Sequence, residues 1–157
     1  MLPIYQGNPY AIDENEWNLL IEFLRSNNIR SVIEFGVGIS TKLFLAMCSR
    51  VVSYEHDQDW ASKFDHDVIL YDPMKPIQYI DEKFDLAFVD GPNGKFRIPD
   101  NCSRYYTTEA AKKHSDIIII HDSKRDGETE TIRRLLSDWQ RQDLPSARGL
   151  TIFRRKG

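Results

Sequence analysis

The sequence predicts an α/β fold: a three-layer sandwich in which a mostly parallel sheet, with an antiparallel final strand, is covered by helices on both faces. Two observations carry this expectation. Short apolar runs alternate with helix-length segments along the whole chain, as they do when strands are buried on both sides. Several of those runs also end in glycine, an acid or histidine, where open sheets of this kind keep their ligand-binding groups. At 157 residues the chain suits one hydrophobic core, so residues 1–157 are read as a single domain.

The first element is a helix. Asp13 is placed to cap it, with Glu16 as the reciprocal partner of a capping box and Ile12 stapled onto Trp17. Trp17, Leu20, Ile21 and Leu24 share one face at helical spacing, and Asn27-Asn28 end the run. Ser31–Phe35 (SVIEF) then reads as a strand, followed by Gly36-Val37-Gly38 and a helix to about Ser49. Val51–Glu55 is a second strand, Gln58–Phe64 a short helix, and Val68–Tyr71 a third strand closed by Asp72-Pro73. Phe84–Val89 is a fourth, closed by Asp90-Gly91-Pro92. Thr107–Lys113 is helical, Asp116–Ile120 is an isoleucine-rich fifth strand, and Glu128–Trp139 is an amphipathic helix. Leu150–Arg154 is the last strand, and none is predicted between Trp139 and Gly149.

Composition excludes some functions. The net charge of −3 supplies no basic field, and no nucleic-acid partner is expected. Arg133, Arg134 and Arg141 read as a solvated helix face, and Arg148, Arg154, Arg155 and Lys156 as caps of an exposed strand end. There is no basic-then-apolar leader, and the longest apolar run, Ile117–Ile120, is far too short for a bilayer. A soluble, cytoplasmic protein with no membrane partner is expected, with Cys48 and Cys102 as free thiols. Oligomeric state is not legible.

A cofactor seat is predicted at Glu34-Phe35-Gly36-Val37-Gly38-Ile39-Ser40-Thr41. Glycine at 36 permits a tight turn, and glycine at 38 lets a ligand approach the backbone. Glu55 ends the next strand about 20 residues on, where an acid can accept both ribose hydroxyls. The plainer alternative makes the glycines an ordinary strand–helix turn and Glu55 a solvated strand end. A pyrophosphate would disfavour the Glu34 carboxylate beside the turn, and Thr41 stands where close packing wants glycine. S-adenosylmethionine (SAM), which carries a sulfonium cation and no phosphate, suits the segment better. The lysine order also excludes a P-loop.

VIEFGVGISTKLF resembles motif I of class I SAM-dependent methyltransferases, and VVSYEHDQDW resembles their second-strand motif. The likeness continues through the terminal GLTIFRR and so covers roughly residues 13–156. It implies a Rossmann-like methyltransferase domain with SAM as cofactor, seated by Glu34, Gly36, Gly38, Ser40, Thr41, Glu55, His56, Asp72 and Asp90. Metal-dependent O-methyltransferases of this fold have an Asp after the fourth strand and an Asp-Asn pair after the fifth. Asp90 matches the first, while His121 and Asp122 stand at the other two with altered identity. The strings FVDGPNGKF and IIIIHDSKRDGE also resemble glucuronoxylan methyltransferase-like proteins, which modify a sugar hydroxyl.

Asp90, His121 and Asp122 are therefore the candidate catalytic residues, and together a candidate site for a divalent metal ion. Alternatively, His121 is hydrogen-bonded at a strand end and Asp122 caps a loop. Arg104, Tyr105 and Tyr106 follow a long loop and are candidates to grip an acceptor; His66 and His114 read as surface or loop residues. The expected activity is methyl transfer to a hydroxyl of a small molecule or saccharide. An NAD-dependent oxidoreductase domain and a non-catalytic SAM-binding module remain as rivals.

Overall fold

The computed structural model describes residues 2–7 and 11–157. Its elements are α1 (Glu14–Ser26), β1 (Ser31–Phe35), α2 (Ile39–Met47), β2 (Arg50–Glu55), α3 (Gln58–Ala61) and β3 (Asp67–Leu70). They are followed by β4 (Leu86–Val89), α4 (Tyr105–His114), β5 (Ile117–His121), α5 (Asp126–Leu135), β6 (Gln140–Leu144) and β7 (Leu150–Arg154). One seven-stranded sheet runs in the order β3-β2-β1-β4-β5-β7-β6. Strands β1 to β5 pair in parallel, and β7 lies antiparallel to both β5 and β6. An antiparallel strand slotted between β5 and β6 departs from the dinucleotide-binding order 3-2-1-4-5-6.

Alternation along each strand divides the interior into two cores. Val32, Leu86, Phe88, Ile119 and Ile152 point to one face and pack with Trp17, Leu20 and Leu24 of α1 and Leu43 and Phe44 of α2. Ile33, Phe35, Ala87, Val89, Ile118 and Ile120 point to the other and meet Ala110 and Ala111 of α4 and Ile132 of α5. Each large apolar side chain so buried is worth about 1.5–3 kcal/mol, against about 0–1 for an exposed ion pair such as Arg50–Asp67. The cores hold the fold.

The capping box of α1 forms as expected: Asp13 Oδ1 accepts the Glu16 N–H at 2.7 Å, and Glu16 Oε1 accepts the Asp13 N–H at 2.9 Å. Strand β6 corrects the sequence reading. Gln140–Leu144 (QRQDL) pairs on one side only, and four of its five residues are exposed. An outer strand with wet faces needs no apolar alternation, so the usual signal is missing. The turn before β7 was the available clue: Pro145 closes β6, and Gly149 takes φ of +98°.

Several helix limits also differ, those of α2 and α4 by one or two residues. Helix α3 stops at Ala61, and α5 begins at Asp126 and ends at Leu135; Trp139 then joins the core ahead of β6. His114 is buried rather than exposed, its Nδ1 2.7 Å from the Ala110 carbonyl oxygen. His66 is half-buried, its Nε2 2.7 Å from Ser53 Oγ.

Candidate active site

The sheet reverses its strand order between β1 and β4, and a cleft of about 560 Å³ opens there over the carboxyl ends of the strands. That volume is ordinary for a small-molecule site. The turn after β1 forms its floor. Gly36 holds φ of +98°, and a Cβ on it would stand 2.9 Å from the Asp90 carbonyl oxygen. Gly91 on β4's exit presses back, its own Cβ position 3.1 Å from Gly36 Cα. Only glycine lets the two strand ends meet so closely. At Gly38 a Cβ would meet nothing within 4 Å, because that position faces the cleft.

Glu55 lines the same space and organises its wall. Its Oε1 accepts the Val37 N–H at 3.0 Å, and its Oε2 accepts those of His56 and Asp57, both at 2.9 Å. A carboxylate offers about four lone-pair sites, so room remains for about one more donor rather than a pair of hydroxyls. His56 and Trp60 continue the wall, with the His56 ring edge-on to Phe96 at 5.2 Å.

Four residues expected in the seat lie outside the cleft. Glu34 is wholly buried beneath the turn, its Oε1 accepting from Thr41 Oγ1 at 2.5 Å and Ser53 Oγ at 2.7 Å. Burial, with Asp90 and Glu55 nearby, pushes its carboxyl up to about 8 against those two hydrogen bonds. Burial thus favours its protonated form, and from beneath the turn it does not face a ligand in the cleft. Its Oε2 has no partner among the described residues. Thr41 faces inward, its Oγ1 also accepting the Gly38 N–H at 2.9 Å, and Ser40 is buried beside it. Asp72 turns away at the sheet's edge, where Oδ1 accepts the Met74 N–H at 2.9 Å.

The strand ends at β4 and β5 come together as expected. Asp90 and Asp122 line the cleft, with His121 fully buried beneath them. His121 Nδ1 is 2.8 Å from Asp90 Oδ1, and its Nε2 is 3.0 Å from both carboxylate oxygens of Glu16. Ser146 Oγ donates to Glu16 Oε2 at 2.6 Å. Burial alone would lower the histidine's pKa, but Asp90, Glu16 and Asp122 outweigh it and hold it up at about 10. With a carboxylate oxygen in hydrogen-bond reach of each ring nitrogen, the surroundings favour the imidazolium, which can donate from both. Glu16, despite burial, is kept below the usual carboxylate range by His121 and Ser146.

Arginines complete the cluster. Arg104, at φ of +59° just before α4, is buried, and its guanidinium donates to the carbonyls of Pro92 at 2.9 Å and His121 at 2.7 Å and to Asp122 Oδ2 at 3.2 Å. It also stands 3.7 Å from Asp90 Oδ1. Arg148 Nε donates to Asp122 Oδ1 at 3.1 Å and Arg125 reaches Oδ2 at 3.6 Å. Burial raises the Asp122 pKa, but His121 and these three arginines hold it below its usual value.

One potential ligand atom each from Asp90, His121 and Asp122 lies within 4.8 Å of the others. The donor set nonetheless does not fit a metal. Both His121 nitrogens are already engaged by carboxylates of the chain, Nδ1 by Asp90 and Nε2 by Glu16, so neither is turned to an ion. Cationic groups of the chain already neutralise both aspartates.

Glu16, Arg125 and Arg148 are members of the cluster that the sequence reading missed. Glu16 was legible only as a cap, because its second partner lies 105 residues away. Arg148 read as a strand-end cap but sits in the cleft. Arg104 was singled out with Tyr105 and Tyr106, of which only Arg104 reaches the cleft.

No protein-family model matches the chain, and neither does any curated protein. Solved structures do. An O-methyltransferase from Bacillus cereus in complex with S-adenosylhomocysteine (SAH) aligns with a TM-score of 0.66 at 17% identity, over 95% of this chain and 84% of that one. The O-methyltransferase TomG from Streptomyces achromogenes, in complex with SAM, gives 0.65 at 16% identity over 94% and 82%. The N-methyltransferase NodS from Bradyrhizobium japonicum WM9 gives 0.62 at 18% identity over 96% and 98%. The fold is that of Rossmann-like, SAM-dependent methyltransferases.

Proposed function

We propose that a chain with this fold binds SAM in the cleft above β1, β2 and β4 and transfers its methyl group to a hydroxyl of a small molecule, saccharides included. One observation carries the reading: the open Gly38 position, the Glu55 carboxylate and Asp90 face a single cleft at the sheet's switch point. SAM supplies an activated methyl on a sulfonium. The chain's residues do the rest. Gly36 and Gly38 keep the floor clear, Glu55 holds the wall in register and offers its remaining lone pair to the ribose, and His56 and Trp60 flank the adenosine.

At the acceptor end Asp90 is the residue of interest. His121 and Arg104 fix its Oδ1, while Oδ2 has no partner among the described residues. Oδ2 accepts the hydroxyl's hydrogen bond and aims its oxygen at the methyl; it would take the proton as the C–O bond forms and the S–CH3 bond breaks, SAH being the leaving group. No metal step is needed in this account, because the chain's own cations fill the strand ends.

Thermal shifts with SAM, SAH and NAD test it. A ligand at 100 times its dissociation constant stabilises by about 2.7 kcal/mol, and SAM and SAH should do so while NAD does not. Labelled-methyl transfer should persist in EDTA and fall strongly in Asp90→Asn. Stabilisation by NAD alone would defeat the proposal, and loss of transfer in EDTA would defeat its metal-free form.

A further inference from the structure

Beyond Asp90 the cleft changes character. Lys95, Arg104, Arg125 and Arg148 line it together with Asp90 and Asp122, while its other acids among the described residues, Glu55 and Asp57, stand at the end of β2 and the start of α3. Asp122 is shared among three guanidiniums, and Asp90 is turned toward His121 and Arg104. Asp122 is thus satisfied on both oxygens by deeper groups, and Asp90 on Oδ1 alone. Around the open Oδ2 of Asp90, the side chains with charge still to offer are therefore cationic.

Two of those cations have capacity left. The Lys95 side chain is exposed and forms no ion pair among the described residues; its ammonium lies 5.4 Å from the Phe96 ring centroid. Arg125 pairs with Glu128 through Nε and leans to Asp122 through one terminal nitrogen, while its side chain remains 41% exposed. It lies flat across Gly94, where a Cβ would stand 3.0 Å from its guanidinium carbon. Glycine at 94 therefore brings the guanidinium down onto the loop that carries Lys95. A planar fork against Gly94 and an exposed ammonium on the next residue are the kinds of group that recognise a carboxylate or phosphate.

We infer that the methyl acceptor carries an anionic group, a carboxylate or a phosphate, which Lys95 and Arg125 hold while its hydroxyl reaches Asp90. This rests on the reading of the cleft as a methyl-transfer site. It adds a substrate class, and it gives Gly94 the task of admitting Arg125 to the loop.

The test uses the whole chain saturated with SAH and titrated calorimetrically with inorganic phosphate, 4-hydroxybenzoate and the neutral 4-hydroxybenzyl alcohol. The two anions should bind, and 4-hydroxybenzoate should bind about tenfold or more tighter than the alcohol. Lys95→Glu, an exposed change, and Arg125→Gln should each weaken the anions about tenfold or more while leaving SAH affinity within about twofold. Raised salt should weaken the anions in the wild type. Equal affinity for 4-hydroxybenzoate and the alcohol, no anion binding, or anion binding untouched by both variants would overturn the inference. If SAH itself fails to bind, the donor-site reading falls, and the same titrations on the ligand-free chain still decide whether the anion subsite exists.

Discussion

At Gly38 the backbone is extended, with φ of 175°, so a side chain there carries no left-handed strain and projects into the cleft. Gly36 is the opposite case, locked by φ of +98° and by the Asp90 carbonyl. The two glycines look alike in sequence and should respond differently. Gly38→Val should keep its melting temperature and lose SAH affinity by about tenfold or more. Gly36→Ala should lose about 1–3 kcal/mol of stability by denaturant titration. Glu55→Ala should affect both readouts. It leaves three N–H groups near the cleft without their acceptor, at a cost of about 1–3 kcal/mol, and SAH should bind more weakly in calorimetry. Fully retained stability would show that water replaces the carboxylate.

Between elements, the Glu16–His121–Asp90 chain ties the first turn of α1 to the ends of β5 and β4. Its pH dependence follows from two opposite shifts. The His121 pKa is about 10 when folded against about 6.5 unfolded, so its contribution is complete below about 6.5 and disappears as pH rises through 10. The Glu16 pKa is lowered on folding, so its contribution is present above the ordinary carboxylate value and is lost as pH falls through its depressed one. Thermal unfolding should therefore show stability declining from about pH 6.5 toward 10. His121→Gln should flatten that decline, and an unchanged slope would mean that the ring is neutral. Little of this chain was legible beforehand. The strands whose side chains alternate into two cores, such as Ser31–Phe35 and Leu150–Arg154, announced themselves with matching limits. The wet edge strand β6 did not. The site divided in the same way: Gly36, Gly38, Glu55 and Asp90 sit at strand ends that local pattern reveals, whereas Glu16 and Arg148 reach the cluster through contacts that no local window contains.

Across the whole molecule, the segment after β6 closes the structure. Ser146 bonds Glu16, Asn15 Nδ2 donates to the Pro145 carbonyl at 2.7 Å, and Arg148 donates to both Asp122 and the Ala11 carbonyl. Strand β7 is the sole sheet partner of β6 and places Leu150 and Ile152 in the α1–α2 core. Removing residues 145–157 should therefore abolish cooperative unfolding in near-ultraviolet circular dichroism and eliminate SAH binding, although β1 to β5 would all remain. A truncated chain that still melts cooperatively would show that the parallel sheet stands alone. The place of β7 between two strands that precede it in the chain also has a meaning for synthesis on the ribosome. Until that last strand emerges, Ile117-Ile118-Ile119-Ile120 is the open border of an otherwise assembled sheet, an apolar row with unpaired amides of the kind that templates aggregation. The nascent protein is thus most vulnerable in the interval between the emergence of β5 and that of β7, and its soluble yield depends on how promptly β7 follows.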